Sequence, residues 1–167
     1  MSHLEEQPWF NDLSLADKQR IRKLHDAALR SWAKTRAFFV RILQSRGYLG
    51  WGKYWMEDLV AYLVAEHGLS EAEARALSLN EAAAIIVTGL LGPVERLIVL
   101  ALHEAKAYAP ATAVPSDNLG RRIHKSGSTI RNHLASDTMR MLIMSTGGAG
   151  SGYFLTPVGR QVADILA

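Results

Sequence analysis

A run of apolar residues at helical spacing between Ser14 and Gly47 constrains the fold more than any other feature of the sequence. Ser14 can cap a free backbone N–H, and Asp17 lies where the helix dipole favours a carboxylate. Apolar residues then recur at helical spacing, at Ile21, Leu24, Ala28, Trp32, Phe38, Phe39, Ile42 and Leu43. The pattern predicts one helix of roughly 50 Å or two shorter helices, ending near Gly47.

Charge is unevenly distributed along the chain. Residues 1–50 contain nine Lys or Arg and five Asp or Glu, residues 51–92 contain two and six, and residues 93–167 contain eight and five. The basic first and last segments could bind a polyanion, whereas the acidic middle segment could not. The basic residues of the first helix are Lys18, Arg20, Arg22, Lys23, Arg30, Lys34, Arg36, Arg41 and Arg46. We favour a solvated helix face opposite a core stripe for them, with contact to a duplex backbone as the alternative.

Aromatic residues cluster between Tyr48 and Trp55, among three glycines that interrupt any helix. The favoured interpretation is a hydrophobic corner that packs one helix onto the next. The alternative is a pocket for a ligand or partner, lined by Trp51, Tyr54 and Trp55.

Three further helices are predicted before residue 93. One covers residues 56–66, and capping-box spacings at Ser70 and Ser78 begin a short helix and a more apolar one. At Gly92-Pro93 glycine ends one helix and proline opens another. We therefore divide the chain into a helical region, residues 1–92, and a second domain, residues 93–167.

The second domain has the predicted order helix, short helix, turn, helix, β-hairpin, helix. Ser116 and Ser128 are the expected N-caps of its second and third helices. Residues 142–144 and 153–155 are predicted strands, joined by a glycine-rich tip at residues 147–152. Thr156 and Pro157 begin the last helix, whose Val162 and Ile165 should face inward.

This order resembles that of a winged helix-turn-helix domain, and so do the residues. The segment LGRRIHKSGSTIRNHL, residues 119–134, is similar to the helix-turn-helix of bacterial winged-helix regulators. The segment YFLTPVGR, residues 153–160, resembles the second wing strand and following helix of MarR-like repressors. The resemblance covers residues 93–167 only and implies a winged helix-turn-helix that has a two-stranded β-hairpin wing. Together with the helical N-terminal region predicted from apolar spacing, this gives an expected fold that is mainly α. The resemblance also implies that helix 128–141 enters the major groove of double-stranded DNA.

A helical wheel gives residues for that contact. With Ile130 and Leu134 toward the core, the outward side holds small polar residues and no carboxylate. Asparagine can bond adenine through two hydrogen bonds, serine and threonine can donate or accept, and arginine prefers guanine or phosphate. Basic residues on or just after the preceding helix can reach phosphates. The predicted DNA-binding residues are Arg121, Arg122, Lys125, Ser126, Ser128, Thr129, Arg131, Asn132 and Ser136.

We therefore expect a transcriptional regulator that forms a homodimer, because one recognition helix contacts few bases. The candidate dimer seams are the long first helix and the apolar helix at residues 82–91. The alternative is a protein–protein adaptor without DNA binding, favoured because the tip, residues 146–152, has no Lys or Arg. Asp137, expected to pair with His133 or Arg140 along one helix, also favours the adaptor. A small-molecule sensor in the N-terminal region is compatible with the first hypothesis.

Enzymatic activity, cofactors and metal sites are not expected. The chain has no cysteine, its six histidines lack metal-binding spacing, and no Gly-x-Ser-x-Gly elbow occurs. The glycine-rich stretch at residues 147–152 precedes a strand, not the helix that a phosphate-binding loop requires. The start of the sequence lacks signal-peptide features, and no apolar run reaches about 18 residues. We expect a cytoplasmic protein that does not enter a membrane.

Overall fold

A computed structural model describes residues 4–48, 55–147 and 151–167. These residues form a mainly helical protein with ten α-helices and a small antiparallel sheet near the C-terminal end. They divide into two compact units, with the division between Leu59 and Val60. Among the helices of the described ranges, none combines the length and the apolar character that crossing a bilayer requires.

Unit 1 is built around a single long helix. It contains α1 (Pro8–Asn11), α2 (Leu15–Ser45) and the start of α3 (Trp55–His67). The Ser14 Oγ accepts a hydrogen bond from the Asp17 backbone N–H at 3.2 Å, which confirms the predicted cap. Gly47 follows the helix with φ +85°, a left-handed conformation that glycine adopts readily. Of the two possibilities, the 31-residue α2 is one continuous helix.

The buried residues of α2 are confined to its C-terminal third. Phe38, Phe39 and Leu43 are buried, and the ring of Phe39 stacks on Trp55 with centroids 6.0 Å apart. Leu24 is 64% exposed and Trp32 is 48% exposed. The predicted core stripe is therefore wrong for the first two thirds of α2, because no described part of the chain covers these side chains.

Unit 2 contains the remaining elements. In chain order they are α4 (Glu71–Ala76), α5 (Leu79–Leu90), α6 (Pro93–Glu104), a 3₁₀ turn (Pro110–Thr112), β1 (Val114–Pro115), α7 (Ser116–Ile123), α8 (Gly127–Leu134), α9 (Asp137–Leu142), β2 (Ile143–Ser145), β3 (Gly152–Leu155) and α10 (Pro157–Leu166). The predicted caps at Ser70, Ser78 and Thr156 are confirmed, and each accepts a backbone N–H hydrogen bond from the third residue after it.

The sheet has the strand order β1-β3-β2, with both pairs antiparallel. Tyr153 lies opposite Val114 on one side and Ser145 on the other, and Leu155 lies opposite Ile143. The predicted β-hairpin is confirmed, and β1 is an additional strand that the sequence pattern did not indicate. Residues 148–150 of the glycine-rich tip lie outside the described ranges.

Helix α10 organises the core of unit 2. It packs against α5, α6, α9 and β3. A methyl group added at Gly159 would collide with the backbone carbonyl of Leu142, so α10 approaches the end of α9 closely. Val162 is buried as predicted, whereas Ile165 is half exposed. The apolar face of α5, one candidate dimer seam, is covered by α10 within the chain.

Candidate nucleic-acid interface

The connection between α7 and α8 is a tight turn closed by backbone contacts. His124 ends α7 in the left-handed conformation, with φ 57° and ψ 44°. The backbone N–H of Lys125 donates to the carbonyl oxygen of Gly120 at 2.8 Å. A methyl group at position 120 would collide with the Lys125 carbonyl, so glycine is required for this close approach. The turn fixes the angle at which α8 leaves α7.

The cap of α8 is Ser126, so the prediction of Ser128 is wrong by two positions. Ser126 has an extended backbone, and its Oγ accepts from the Thr129 backbone N–H at 3.1 Å. The same hydroxyl lies 2.9 Å from Thr129 Oγ1 and 3.1 Å from Ser128 Oγ. Three predicted DNA-binding hydroxyls therefore form one cluster at the start of α8.

The outward side of α8 is open, as the helical wheel indicated. Ile130 is fully buried and Leu134 is partly covered, whereas Ser128, Asn132 and Ala135 are exposed. No Asp or Glu occurs within α8. A surface with these properties can enter a groove lined by acidic phosphates without electrostatic cost.

The predicted helix 128–141 is in fact two helices, α8 and α9. Ser136 has an extended backbone, and its Oγ accepts from the Met139 backbone N–H at 3.2 Å, which caps α9. Ser136 is therefore an N-cap and does not continue the outward side of α8. Asp137 lies in the first turn of α9, where the helix dipole favours a carboxylate.

This break also changes the expected pairing of His133. Because Asp137 belongs to the next helix, the two residues do not share one helix face as predicted. The Nδ1 atom of His133 instead lies 3.5 Å from Glu95 Oε2 on α6. This contact joins α8 to α6, which also packs on α7.

Arg131 is held against the protein. Its Nη1 atom donates to the Oγ of Ser116 at 3.0 Å. Ser116 is the first residue of α7, with Pro115 as the N-cap, so its predicted capping role is wrong. The bond connects α8 to the start of α7 and stabilises their relative position.

Asp117 is the residue of this region that sequence analysis missed. A methyl group at Gly127 would collide with its carboxylate, so Asp117 lies directly beside the start of α8. An acidic residue beside a helix start is electrostatically favourable. The only sequence signal for it was its position in the first turn of α7.

Three cations surround the turn and have no partner among the described residues. Arg121, Arg122 and Lys125 are exposed, and their side chains make no ion pair or hydrogen bond with the described residues. Beside them is an open depression of about 510 Å³, lined by Asp117, Gly120, Arg121, His124, Lys125 and Gly127. Cations in this state are available to bind phosphate oxygens.

The aromatic cluster is described only in part. Trp51 and Tyr54 lie outside the described residues. Trp55 is buried and stacks on Phe39 with an interplanar angle of 28°, which is a core contact. For Trp55 the geometry agrees with the hydrophobic-corner interpretation.

No group of three or more His, Asp or Glu side chains suited to a metal ion occurs within residues 4–48, 55–147 and 151–167. The structure brings together hydroxyls, cations and the Asp117 carboxylate at the α7–α8 turn, and the Asn132 amide lies farther along α8. Comparisons with protein-family models, with curated proteins and with solved structures found no match to this chain.

Proposed function

We propose that residues 93–167 form a winged helix-turn-helix domain of MarR-like type that binds double-stranded DNA, and that the protein regulates transcription. The order α6, β1, α7, α8, α9, β2, β3, α10 supports this fold. The observation that carries the proposal is the exposed side of α8, which has no carboxylate of its own and lies beside three cations that have no partner in the described part of the chain.

In this proposal α8 enters the major groove. Asn132 is the residue best suited to a base edge, since its amide both donates and accepts hydrogen bonds. Arg121, Arg122 and Lys125 bind phosphates on the flank of the groove. Arg131, bonded to Ser116, acts as a positioning residue that keeps α8 fixed on α7.

A homodimer belongs to the same proposal. The eight residues of α8 are only about 12 Å long, so one copy contacts few base pairs. Helix α2 has an apolar stripe of Ile21, Leu24, Ala28 and Trp32, and Leu24, Ala28 and Trp32 are exposed. Since α10 covers the apolar face of α5, the seam we propose is this stripe of α2.

The test is binding to mixed genomic duplex fragments, followed by fluorescence anisotropy at 50 and 200 mM salt. Each phosphate contact contributes about 0.9 to the slope of log K against log salt. Arg121→Gln/Lys125→Gln should therefore lower the slope by about 1.8. The control Arg75→Gln/Lys106→Gln removes the same charge from residues outside α7 and α8 and should leave the slope unchanged.

Base contact needs a separate measurement. On a duplex selected for tight binding, Asn132→Ala should cost about 1–3 kcal/mol, but it should cost little on random duplex. The control Asn80→Ala removes an exposed amide from α5 and should have no effect. An unchanged affinity of Asn132→Ala for the selected duplex would show that α8 does not contact the bases.

The second candidate function is a protein–protein adaptor. The observation that favours it is the β2–β3 connection, in which Thr146 and Gly147 are exposed and no Lys or Arg occurs between residues 146 and 152. A wing without cations gains no phosphate contact. Failure of the wild-type protein to bind duplex DNA at 50 mM salt would favour the adaptor over the regulator.

A further inference from the structure

Helix α2 carries a continuous row of exposed cations on one side. Arg20, Lys23, Arg30 and Lys34 are all exposed and fall within an arc of about 80° at 100° per residue. From Arg20 to Lys34 the row is about 21 Å long at 1.5 Å per residue. We call these four residues the basic row.

The positions between the cations are small. Ala16, Ala27 and Ala37 lie in the same or the adjoining part of the wheel and are exposed, so no large side chain interrupts the basic row. Of the two carboxylates of α2, Asp26 borders the basic row, three residues after Lys23 and four before Arg30, whereas Asp17 lies farther round the helix. Asp17 accepts a hydrogen bond from the Ser14 hydroxyl at 2.7 Å. The surface is therefore predominantly cationic and is open to close approach.

Other cations of α2 differ because the protein itself uses them. Lys18 Nζ donates to the Asn11 carbonyl at 2.8 Å, Arg22 pairs with Glu5 at 2.9 Å, and the Arg36 guanidinium lies 5.7 Å from the centre of the Trp32 ring. The four residues of the basic row make no ion pair or hydrogen bond with the described part of the chain. Their cations are thus not neutralised by the residues that the structure describes.

We infer that the basic row is a second surface for the phosphate backbone of double-stranded DNA, separate from α8. A straight row of exposed cations complements a duplex, in which each strand carries one negative charge per 3.4 Å or so of axis. Lysine and arginine contacts to phosphate position a protein on DNA without regard to sequence. The basic row lies in unit 1, so the inference holds whether or not α8 contacts bases.

The apolar stripe is what distinguishes DNA from a membrane surface as the occupant. Ile21, Leu24, Ala28 and Trp32 are centred about 130° from the basic row at 100° per residue. An interfacial helix keeps its cations at the headgroups and buries its apolar side in the bilayer, which would leave no stripe for a second copy. A duplex can take the cationic side directly, while the stripe remains available to a second copy.

The experiment compares three charge-matched double variants of the full chain. Arg30→Gln/Lys34→Gln changes the basic row, Arg121→Gln/Lys125→Gln changes the α7–α8 turn, and Arg75→Gln/Lys106→Gln is the control. Glutamine has a helix propensity close to that of lysine and arginine, so α2 should remain helical, which circular dichroism checks. Affinity for random duplex is measured between 50 and 200 mM salt, together with binding to phosphatidylcholine vesicles containing 30% phosphatidylserine.

The basic-row variant should lose two phosphate contacts. Each contact contributes about 0.9 to the slope of log K against log salt. When salt rises from 50 to 200 mM, the affinity of the wild type should therefore fall by a factor about 12 times larger than the factor for the variant. The control should resemble the wild type, and the charge-retaining Arg30→Lys/Lys34→Arg should keep its affinity.

The outcomes separate the two DNA surfaces. A basic-row variant with the salt dependence of the control would overturn the inference, and the proposed function would stand if the α7–α8 variant were weakened. A loss confined to the basic-row variant would support the inference and contradict the proposed function. If the basic-row variant binds vesicles more weakly but binds duplex DNA as the wild type does, the basic row contacts a membrane and the inference is overturned.

Discussion

Helices α2 and α5 use similar apolar patterns with different results. Five of the twelve residues of α5 are buried, but only three of the 31 residues of α2. Helix α5 lies against α10, which fills its apolar side. Along most of α2 no described element does so, and Leu24 and Trp32 remain exposed. An apolar stripe thus indicates that a helix has a partner but does not indicate that the partner is in the same chain.

The largest expected effect tests this contrast within α2 itself. Phe39→Ala should cost about 3–5 kcal/mol in the free energy of unfolding, because it leaves a cavity beside Trp55. Trp32→Ala should cost less than about 1 kcal/mol in dilute solution, because its side chain is half exposed. Urea denaturation at low micromolar protein measures both variants. Equal losses would show that the stripe is covered even in dilute protein.

If α2 forms the dimer seam, its apolar stripe becomes covered as the protein concentration rises, and the difference in burial between α2 and α5 decreases. Sedimentation equilibrium should show a wild-type dimer that Trp32→Glu converts to a monomer, because a charge on the seam must be desolvated. The control Met56→Glu puts the same charge on an exposed residue of α3 and should not change the mass. A wild type that is monomeric at every concentration would contradict the proposed seam.

The next prediction concerns α10, the helix that covers α5, and its close contact with the end of α9. Gly159→Ala should cost about 1–3 kcal/mol, because the added methyl group collides with the Leu142 carbonyl in a closely packed core. The control Gly89→Ala lies in α5, where the nearest atom to the new methyl group is His67 Cε1 at 3.6 Å. There alanine should stabilise by about 0.4–1 kcal/mol. Thermal denaturation measures whether each variant loses or gains stability. A Gly159→Ala variant as stable as the wild type would show that α9 and α10 are less closely packed.

Removing a helix cap should have a smaller effect on stability, and the loss should differ between the long helix α2 and the short helix α8. Ser126→Ala should cost about 0.5–2 kcal/mol, since α8 has eight residues and depends on its first turn. Ser14→Ala should lie at the low end of that range, because the exposed first turn of α2 can fray without unfolding the rest. Ser128→Ala should be nearly neutral in urea denaturation. If Ser128→Ala lost more unfolding free energy than Ser126→Ala, the N-cap of α8 would be Ser128, as predicted from the sequence.

Local signals predicted the elements of the fold better than they predicted burial. The caps at Ser14, Ser70, Ser78 and Thr156 and the β-hairpin follow from neighbouring residues, and the structure confirms them. The exposed side of α8 also follows from a local period once Ile130 is placed in the core. These features depend on short-range geometry, which one sequence contains.

Features that depend on the rest of the chain were mispredicted. The exposure of Trp32 depends on whether another segment reaches it, which no periodicity specifies. The break between α8 and α9 was missed because Ser136 can either continue a helix or cap the next one. The bond from Arg131 to Ser116 joins residues 15 positions apart, and only the packed α7 and α8 bring them together.

The smallest effect concerns the capping box of α4, the six-residue helix that begins after Ser70. The Ser70 backbone N–H donates to the Glu73 carboxylate at 2.8 Å, and with the Ser70 hydroxyl it holds the pKa of Glu73 below its ordinary value of 4.5. Because the folded pKa is depressed, the stabilisation is complete above the ordinary pKa and is lost as the pH falls through the lowered one. The melting temperature of Glu73→Gln should therefore lie below that of the wild type at pH 7, and the gap should close under acid conditions. In a Ser70→Ala background the gap should already be smaller at pH 7, and a gap that stays constant with pH would show that the Glu73 charge does not contribute to the cap.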